Sequence, residues 1–231
     1  MEQAKRIQTS LLNGVEKKIL VKVASKMPKW VSSDMLSVFG AFGALVIAAG
    51  YILSDTNIQW LWLSSLGFVI NWFGDSLDGT IARVRGTQRP VYGYYLDHTL
   101  DAITEFIMFF GLGMSRMLRM DIAITMFVLY LMLTLNVAIN AHLKKEFKLS
   151  YMGLGPTEFR LIAIIVNTIL IFAPALREPS VVWPVFGRSI TLTIIDIMGL
   201  ALIAILALIY IVTIYRDWRG YALSDPIPKK E

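Results

Sequence analysis

Residues 75–101, DSLDGTIARVRGTQRPVYGYYLDHTLD, decide how the chain folds, because they place four aspartates inside an otherwise apolar sequence. The four are Asp75, Asp78, Asp97 and Asp101. An ionisable side chain at membrane depth costs roughly 2.5 kcal/mol or more, so its presence there indicates function. Residues three or four apart share one face of a helix, so the stretch predicts two helix ends that each carry a pair of carboxylates. Two such pairs together predict a cation site.

The rest of the chain has the composition of an integral membrane protein. Of its 231 residues, 56% are hydrophobic and 17% are charged. Apolar runs of about twenty residues, long enough to cross a bilayer core, occur in six places: about 35–53, 59–82, 94–115, 121–142, 159–176 and 190–215. Because only helices or closed barrels satisfy their backbone in lipid, these runs predict an all-α integral membrane protein with six transmembrane helices. Cysteine is absent, which excludes disulfides and thiolate metal sites.

The distribution of basic residues predicts how the chain sits in the membrane. Eighteen lysines and arginines fall in the termini and in the connections after the second and fourth runs, against four on the opposite side: Arg116, Arg119, Arg177 and Arg188. Positive charge marks the cytoplasmic side, so both termini and the four aspartates are predicted to face the cytoplasm. The net charge of +5 then reflects membrane topology and contact with anionic lipid, and it gives no reason to expect nucleic-acid binding.

Three segments are predicted along the chain. Residues 1–30 repeat apolar side chains at helical spacing opposite lysines, which predicts an interfacial amphipathic helix that ends at Pro28. Residues 31–216 are predicted to form the six-helix transmembrane catalytic domain, and residues 217–231 a polar C-terminal tail. No linker rich in proline, glycine or serine divides the second segment.

The residues around the aspartates indicate the ligand. Four carboxylates carry a charge of about −4 and would repel one another strongly unless two divalent ions neutralised them. Ligands that are all oxygen favour Mg²⁺ or Mn²⁺ over zinc. Gly79 leaves space beside the carboxylates for a flat ligand, and Arg83, one turn later, can bind phosphate oxygens through two N–H groups. Metal ions and an arginine at the cytoplasmic boundary together predict a pyrophosphate substrate.

These residues resemble the signature of the CDP-alcohol phosphotransferases, integral membrane enzymes of phospholipid synthesis. The signature D-x-x-D-G-x-x-A-R…G-x-x-x-D-x-x-x-D is matched at all its fixed positions: Asp75, Asp78, Gly79, Ala82, Arg83, Gly93, Asp97 and Asp101. The loop between Arg83 and Gly93 is one residue longer than is usual in the family. A second family stretch, S/T-P-N-x-L-T/S-x-x-G, is similar to residues 32–40, SSDMLSVFG, in which its proline and asparagine are replaced.

The resemblance implies a reaction and a role for each matched residue. Such enzymes transfer a substituted phosphate from a CDP-linked donor to an alcohol and release CMP. The resemblance implies that Asp75, Asp78 and Asp97 bind two divalent ions together with Asp101, and that Asp101 is the general base. The CDP moiety is expected to contact five residues: Asp78, Gly79, Ala82, Arg83 and Gly93. A homodimer is expected by the same resemblance.

Five further residues are candidates for the acceptor side of the site: His98, Glu105, Thr157, Glu158 and Arg160. His98 stands as in the D-H-x-x-D motif of amino-alcohol phosphotransferases, and Glu105 lies one turn beyond the last aspartate. The other three open the fifth apolar run, where a polar alcohol needs hydrogen-bonding partners. A structural alternative is that Thr157 caps this helix and Glu158 interacts favourably with its dipole.

Three functions are compatible with the sequence. The favoured one is transfer of a phosphatidyl group from CDP-diacylglycerol to a polar alcohol, since the small single-domain chain resembles prokaryotic phosphatidyltransferases. His98 favours instead transfer from CDP-choline or CDP-ethanolamine to diacylglycerol. Ala102 stands where phosphatidylglycerophosphate synthases commonly have lysine, which argues against that product. A cation transporter is the third interpretation, but transporters place broken helices in two repeated halves, whereas all four aspartates here come from one hairpin.

Overall fold

The chain folds into a set of helices in the computed structural model, which describes residues 5–7, 12–144, 146–148, 155–185 and 188–227. The α-helices among these residues are α1 Asn13–Lys26, α2 Ser33–Leu53, α3 Leu61–Arg85, α4 Pro90–Met114, α5 Met120–Lys144, α6 Pro156–Phe172 and α7 Ile194–Ser224. Short 3₁₀ helices, Ile58–Trp60 and Pro174–Leu176, precede α3 and follow α6. The predominantly helical class is confirmed, and α2 to α7 correspond in order to the six apolar runs.

Three helices of the described residues are long and apolar enough to cross a membrane: Ser33–Leu53, Met120–Leu143 and Ile194–Ser224. They support the prediction of an integral membrane protein. Helices α3, α4 and α6 are not among these three candidates. Helices α3 and α4 carry the aspartates, and α6 has only 17 residues. The predicted count of six transmembrane helices therefore stays a prediction.

The last helix extends beyond the predicted sixth span. With 31 residues, α7 is about 46 Å long, more than the bilayer core of about 30 Å requires. It continues past Arg216 to Ser224, into the segment predicted as a polar tail. Residues 228–231 of that tail lie outside the described residues.

Four short strands differ from the all-helical prediction. The strand β1 Lys5–Ile7 pairs in parallel with β2 Glu146–Lys148, and β3 Pro179–Val185 pairs antiparallel with β4 Arg188–Thr193. The sixth apolar run therefore begins as a strand and becomes helical only after Thr193. Thr193 caps α7, because its hydroxyl accepts from the Asp196 N–H at 3.1 Å while its own N–H donates to the Asp196 carboxylate at 2.9 Å.

The N-terminal helix is shorter than predicted. It covers Asn13–Lys26 rather than all of residues 1–30, and residues 1–4 and 8–11 lie outside the described residues. It ends before Pro28, as predicted. Just before the helix begins, the N–H of Leu12 donates a hydrogen bond to the Glu158 carboxylate of α6 at 2.9 Å. The sequence pattern alone does not reveal such a contact.

One side of α1 belongs to the protein core. Leu20 and Ala24 are buried in a cluster with Val31, Leu36, Leu77 and Ile81 from the following linker, α2 and α3. On the other side, Val15 is 62% and Ile19 is 49% exposed, next to exposed lysines. That side keeps the amphipathic character of a helix at a membrane surface.

The contact between α2 and α3 is the most extensive between helices, and glycines permit it. A Cβ on Gly43 would lie 2.5 Å from Asn71 N, and a Cβ on Gly40 would lie 3.0 Å from Asp75 N. Small residues let helix backbones in a membrane approach closely. The start of α2 therefore lies directly against the part of α3 that carries the first aspartates.

Gly43→Ala is expected to lower both stability and activity, because the added methyl group would meet the backbone of Asn71. Overpacking of this kind costs about 1–3 kcal/mol. Thermal unfolding in detergent, followed by intrinsic fluorescence, measures the loss. Gly220→Ala is the matched control, since a Cβ there has no neighbour within 4 Å. Equal unfolding midpoints for the two variants would contradict the close packing of α2 on α3.

Candidate active site

The four aspartates lie on two consecutive helices, α3 and α4, that are both packed against α2. Helix α3 ends at Gly86, whose φ of 67° is the left-handed conformation that often closes a helix at glycine. Pro90 opens α4, where its missing N–H leaves no hydrogen bond unmade. The chain reverses between these two residues. Helix α2 packs against both α3 and α4 and so holds the two acidic pairs together.

Three of the aspartates converge. One carboxylate oxygen from each of Asp75, Asp97 and Asp101 lies within 4.8 Å of the other two. Together with Asp78 they border a cavity of about 20 Å³, which is also lined by Ser37, Gly40, Ala41, Asn71, Leu100 and Thr104. A cavity of this size holds an ion or a water molecule. Every donor in the converging group is a carboxylate oxygen, which fits Mg²⁺ or Mn²⁺ better than zinc.

The fourth aspartate, Asp78, borders the same cavity but is hydrogen-bonded to α2. Ser37 Oγ donates to Asp78 Oδ2 at 2.5 Å, and the other carboxylate oxygen accepts from the N–H of Gly79. Ser33 Oγ donates to the backbone oxygen of Asp78 at 2.9 Å. Both serines belong to the SSDMLSVFG stretch, so this segment contacts the site even though its proline and asparagine are replaced.

An arginine from α6 offsets part of the negative charge. Arg160 Nη2 donates to Asp75 Oδ2 at 2.6 Å, and its Nε donates to Asn71 Oδ1 at 2.8 Å. The two charged side chains are 12% and 26% exposed, so the ion pair is less screened than one on the surface. Asn71 also donates to the backbone oxygen of Gly40 at 3.0 Å, and it therefore links α2, α3 and α6.

The last turns of α3 are more open. Arg83 is exposed, and its Nη2 donates to Thr80 Oγ1 at 2.9 Å. A Cβ on Gly79 would lie 3.3 Å from Arg83 Nη1, so the glycine leaves room for the guanidinium along the helix. Ala82 is half-buried, and a Cβ on Gly93 would have no neighbour within 4 Å. This surface is accessible to a ligand.

Two further arginines hold the connection between α3 and α4. The Arg85 guanidinium donates to three carbonyl oxygens of the linker between α1 and α2. Arg89 Nη2 lies 2.8 Å from Asp34 Oδ2, and this hydrogen bond raises the pKa of the Arg89 guanidinium. The Arg85 contacts join the end of α3 to the linker before α2, and the Arg89 contact reaches the first turn of α2, the helix that also bonds to Asp78.

Two acceptor-side candidates on α4 have different surroundings. His98 Nδ1 lies 3.0 Å from the Tyr94 backbone oxygen, and the two rings stack with centroids 4.1 Å apart. Within the described residues, Glu105 Oε2 is a buried oxygen without a hydrogen-bond partner. A buried acceptor in that state has lost its hydration without replacement. Glu105 can therefore accept a hydrogen bond from a ligand.

The prediction that Thr157 caps α6 is wrong. Gly155 is the N-cap in extended conformation and Pro156 takes the first helical position, so Thr157 is not the cap. The fixed φ angle of proline suits the first position of a helix. The N-cap is therefore Gly155, two residues before the predicted Thr157. Thr157 and Glu158 form hydrogen bonds to α1 and its preceding residue, whereas Arg160 reaches the aspartates.

Comparison with known proteins places this arrangement in a family. The profile of the family described as CDP-alcohol phosphatidyltransferase matches residues 30–215, most of the chain. The chain belongs to this family. The match leaves α1 outside its limits. No curated protein matches the chain.

Membership of the CDP-alcohol phosphatidyltransferase family confirms the resemblance and gives the class of reaction. The protein is a membrane transferase of phospholipid synthesis that uses a CDP-linked donor and an alcohol acceptor. Members of the family use divalent metals, and the group of three aspartates is compatible with binding one. The family match favours this class over a cation transporter.

Sequence reasoning missed three residues that contact the site in this CDP-alcohol phosphatidyltransferase: Ser33, Ser37 and Asn71. Asn71 lies one turn before Asp75 in an apolar run, and a polar residue at that spacing was the available signal. The serines lie in the stretch 32–40 that is similar to a second family motif, but their contact with Asp78 was not predicted, because it depends on how α2 packs against α3.

Proposed function

We propose that the protein transfers a phosphatidyl group from CDP-diacylglycerol to a polar alcohol and releases CMP. The convergence of Asp75, Asp97 and Asp101 within 4.8 Å carries the proposal, because a pyrophosphate-bearing donor and its metal ions need such an acidic site. The positive-inside distribution supports a reaction at the cytoplasmic face of the cell membrane, with both termini on that side. A homodimer is part of the proposal by family resemblance.

The aspartates are proposed to bind two divalent ions, Mg²⁺ or Mn²⁺, as the family resemblance implies. Asp75, Asp97 and Asp101 offer converging oxygens, and Asp78 borders the same cavity. Carboxylates this close repel one another, and the guanidinium of Arg160 on Asp75 offsets only part of the charge. When bound, divalent ions supply positive charge that stabilises the negative charge of the pyrophosphate.

The CDP moiety binds along the last turns of α3 and the first turns of α4. Arg83 is exposed there and can bind phosphate oxygens through two N–H groups. Gly79, Ala82 and Gly93 carry no side chain larger than a methyl group, so the nucleotide can approach the backbone. Asp78, held by α2, is the remaining contact at the edge of the cavity.

Asp101 is the general base of the proposed reaction. Its carboxylate takes the proton of the acceptor hydroxyl as that oxygen attacks the β-phosphorus of the donor. The new P–O bond forms while the bond from the β-phosphorus to the bridging oxygen breaks, and CMP leaves with that electron pair. Asp101 lies one turn beyond Asp97 on α4, toward Glu105, where the acceptor is proposed to bind.

The acceptor alcohol binds on the side of Glu105 and Arg160. The buried Glu105 Oε2, which has no hydrogen-bond partner in the described part of the chain, can accept from a hydroxyl group of the alcohol. Thr157 and Glu158 are hydrogen-bonded to Glu16 and Leu12, so they are not among the proposed acceptor contacts. His98 Nδ1 is bonded to the carbonyl of Tyr94 in its own helix, and its ring stacks on that of Tyr94.

Purified protein is expected to release CMP when supplied with CDP-diacylglycerol, Mg²⁺ and a panel of polar alcohols. Mass spectrometry of the lipid product identifies the alcohol, and a reaction without acceptor gives the background. CDP-choline or CDP-ethanolamine with diacylglycerol forms the second arm. CMP release in that arm alone would reverse the donor assignment, and no release with any pair would contradict the transferase function.

A further inference from the structure

A carboxylate on α1 joins three side chains at the edge of the aspartate site. Glu16 Oε1 accepts hydrogen bonds from Trp72 Nε1 at 2.7 Å, Thr157 Oγ1 at 2.8 Å and Ser76 Oγ at 3.1 Å. Trp72 and Ser76 belong to α3, and Thr157 lies in the first turn of α6. Hydrogen bonds to a charged acceptor are about twice as strong as neutral ones. One oxygen therefore connects three helices.

A carboxylate on α6 makes the reciprocal connection. Glu158 is only 7% exposed, and it accepts from the N–H of Leu12 at 2.9 Å and from the N–H of Gly155 at 2.9 Å. Leu12 immediately precedes α1, so Glu158 lies at the positive end of that helix dipole. We call the hydrogen bonds of Glu16 and Glu158 the α1–α6 clamp.

The clamp holds the segments that carry the site. Ser76 directly follows Asp75 on α3, and Thr157 lies in the helical turn before Arg160 on α6. Arg160 donates to Asp75 at 2.6 Å. A movement of the start of α6 away from α3 would therefore separate the guanidinium from the converging carboxylates.

We propose that Glu16 is a positioning residue for phosphatidyl transfer, which sets the placement of Arg160 against Asp75 from a helix outside the range of the family match. This inference rests on the proposed function, since it assumes that Arg160 and Asp75 act on the substrates. A displacement of about 1 Å near the chemistry can cost roughly 100-fold in rate. Glu16 can therefore control turnover without contacting either substrate.

Glu16→Ala is expected to lower kcat about tenfold or more while the KM for the CDP donor stays close to wild type. The donor contacts on α3 and α4 do not include Glu16, so donor binding is retained. Glu16→Gln keeps a side-chain oxygen that accepts the same hydrogen bonds and should recover most of the lost kcat. Lys18→Ala, at an exposed position of the same helix, is the matched control. A wild-type kcat in Glu16→Ala would overturn the inference.

A distance measurement tests the clamp without using activity. The chain has no cysteine, so nitroxide labels can be attached at Lys18→Cys in α1 and Leu161→Cys in α6, both exposed positions. Pulsed EPR should show a broader distance distribution after Glu16→Ala, and after Thr157→Val, which removes a hydroxyl group without changing charge. Unchanged distributions in both variants would overturn the inference even if kcat falls. A wild-type protein that releases no CMP would count against the proposed function, and the label distances would still test the clamp.

Discussion

Asp101→Asn is expected to stop turnover while CDP-donor affinity stays close to that of the wild type. The amide has nearly the shape of the carboxylate but cannot take a proton from the acceptor, and general-base catalysis typically contributes about 10²–10⁴-fold. The change also removes one charge from the converging group, so CMP release must be measured up to saturating Mg²⁺. Isothermal titration with the donor in the absence of acceptor measures binding separately.

Asp55→Asn is the matched control for this experiment. Asp55 lies just beyond the far end of α2, where it accepts from the N–H of Arg116 at 2.7 Å, so the same chemical change is made away from the site. It should leave kcat unchanged. Near-normal turnover of Asp101→Asn at saturating Mg²⁺ would show that another group takes the proton. Glu105, one turn further along α4, would then be tested next.

Removal of divalent ions is expected to abolish CMP release, and either Mg²⁺ or Mn²⁺ should restore it. Asp75, Asp97 and Asp101 carry three negative charges within 4.8 Å, and the pyrophosphate of the donor adds more. Arg160 offsets only part of this charge. Without counter-ions the site and the substrate repel each other. Dialysis against a chelator followed by metal titration in the CMP assay measures the effect.

Asp97→Asn identifies the metal site behind this dependence. Loss of a direct ligand should raise the half-saturating Mg²⁺ concentration at least about tenfold, since even outer-shell partners commonly contribute that much. Mn²⁺ binding followed by EPR on the protein alone should give the same order of affinities, and Asp55→Asn should bind Mn²⁺ as the wild type does. Full activity in the presence of chelator, or wild-type Mn²⁺ affinity in Asp97→Asn, would contradict the metal role.

The helices and the acidic hairpin could be predicted because their signals are local. The long apolar runs and the helical spacing of the aspartates lie within the segments that they define, whereas the ends of the helices at Gly86 and Pro90 were not predicted. The β3–β4 hairpin and the later start of α1 could not be predicted in the same way, whereas the N-cap of α6 was misplaced although Pro156 is a local signal for it. Strand pairing, and the contact of Glu158 with Leu12, join residues that the local pattern does not relate.

Contacts between distant segments explain what was missed in the site. Arg160 was a candidate from its position at the start of an apolar run, but its bond to Asp75 joins residues 85 positions apart. Glu16 was not singled out, and its bond to Thr157 spans 141 positions. Both contacts depend on how α1 and α6 pack against α3, and hydrophobic periodicity gives no information about that arrangement.

The sequence by itself determined the chemistry of this protein: four carboxylates at helical spacing, with Gly79 and Arg83 beside them, at the end of apolar runs. Side-chain type and spacing are local properties, so they identify an acidic phosphate-handling site and its family. Only the tertiary structure decided that three carboxylates converge while Asp78 bonds to α2, that α6 supplies a cation, and that α1 is hydrogen-bonded to α6. Those outcomes follow from helix packing, which depends on close contacts between segments far apart in the chain.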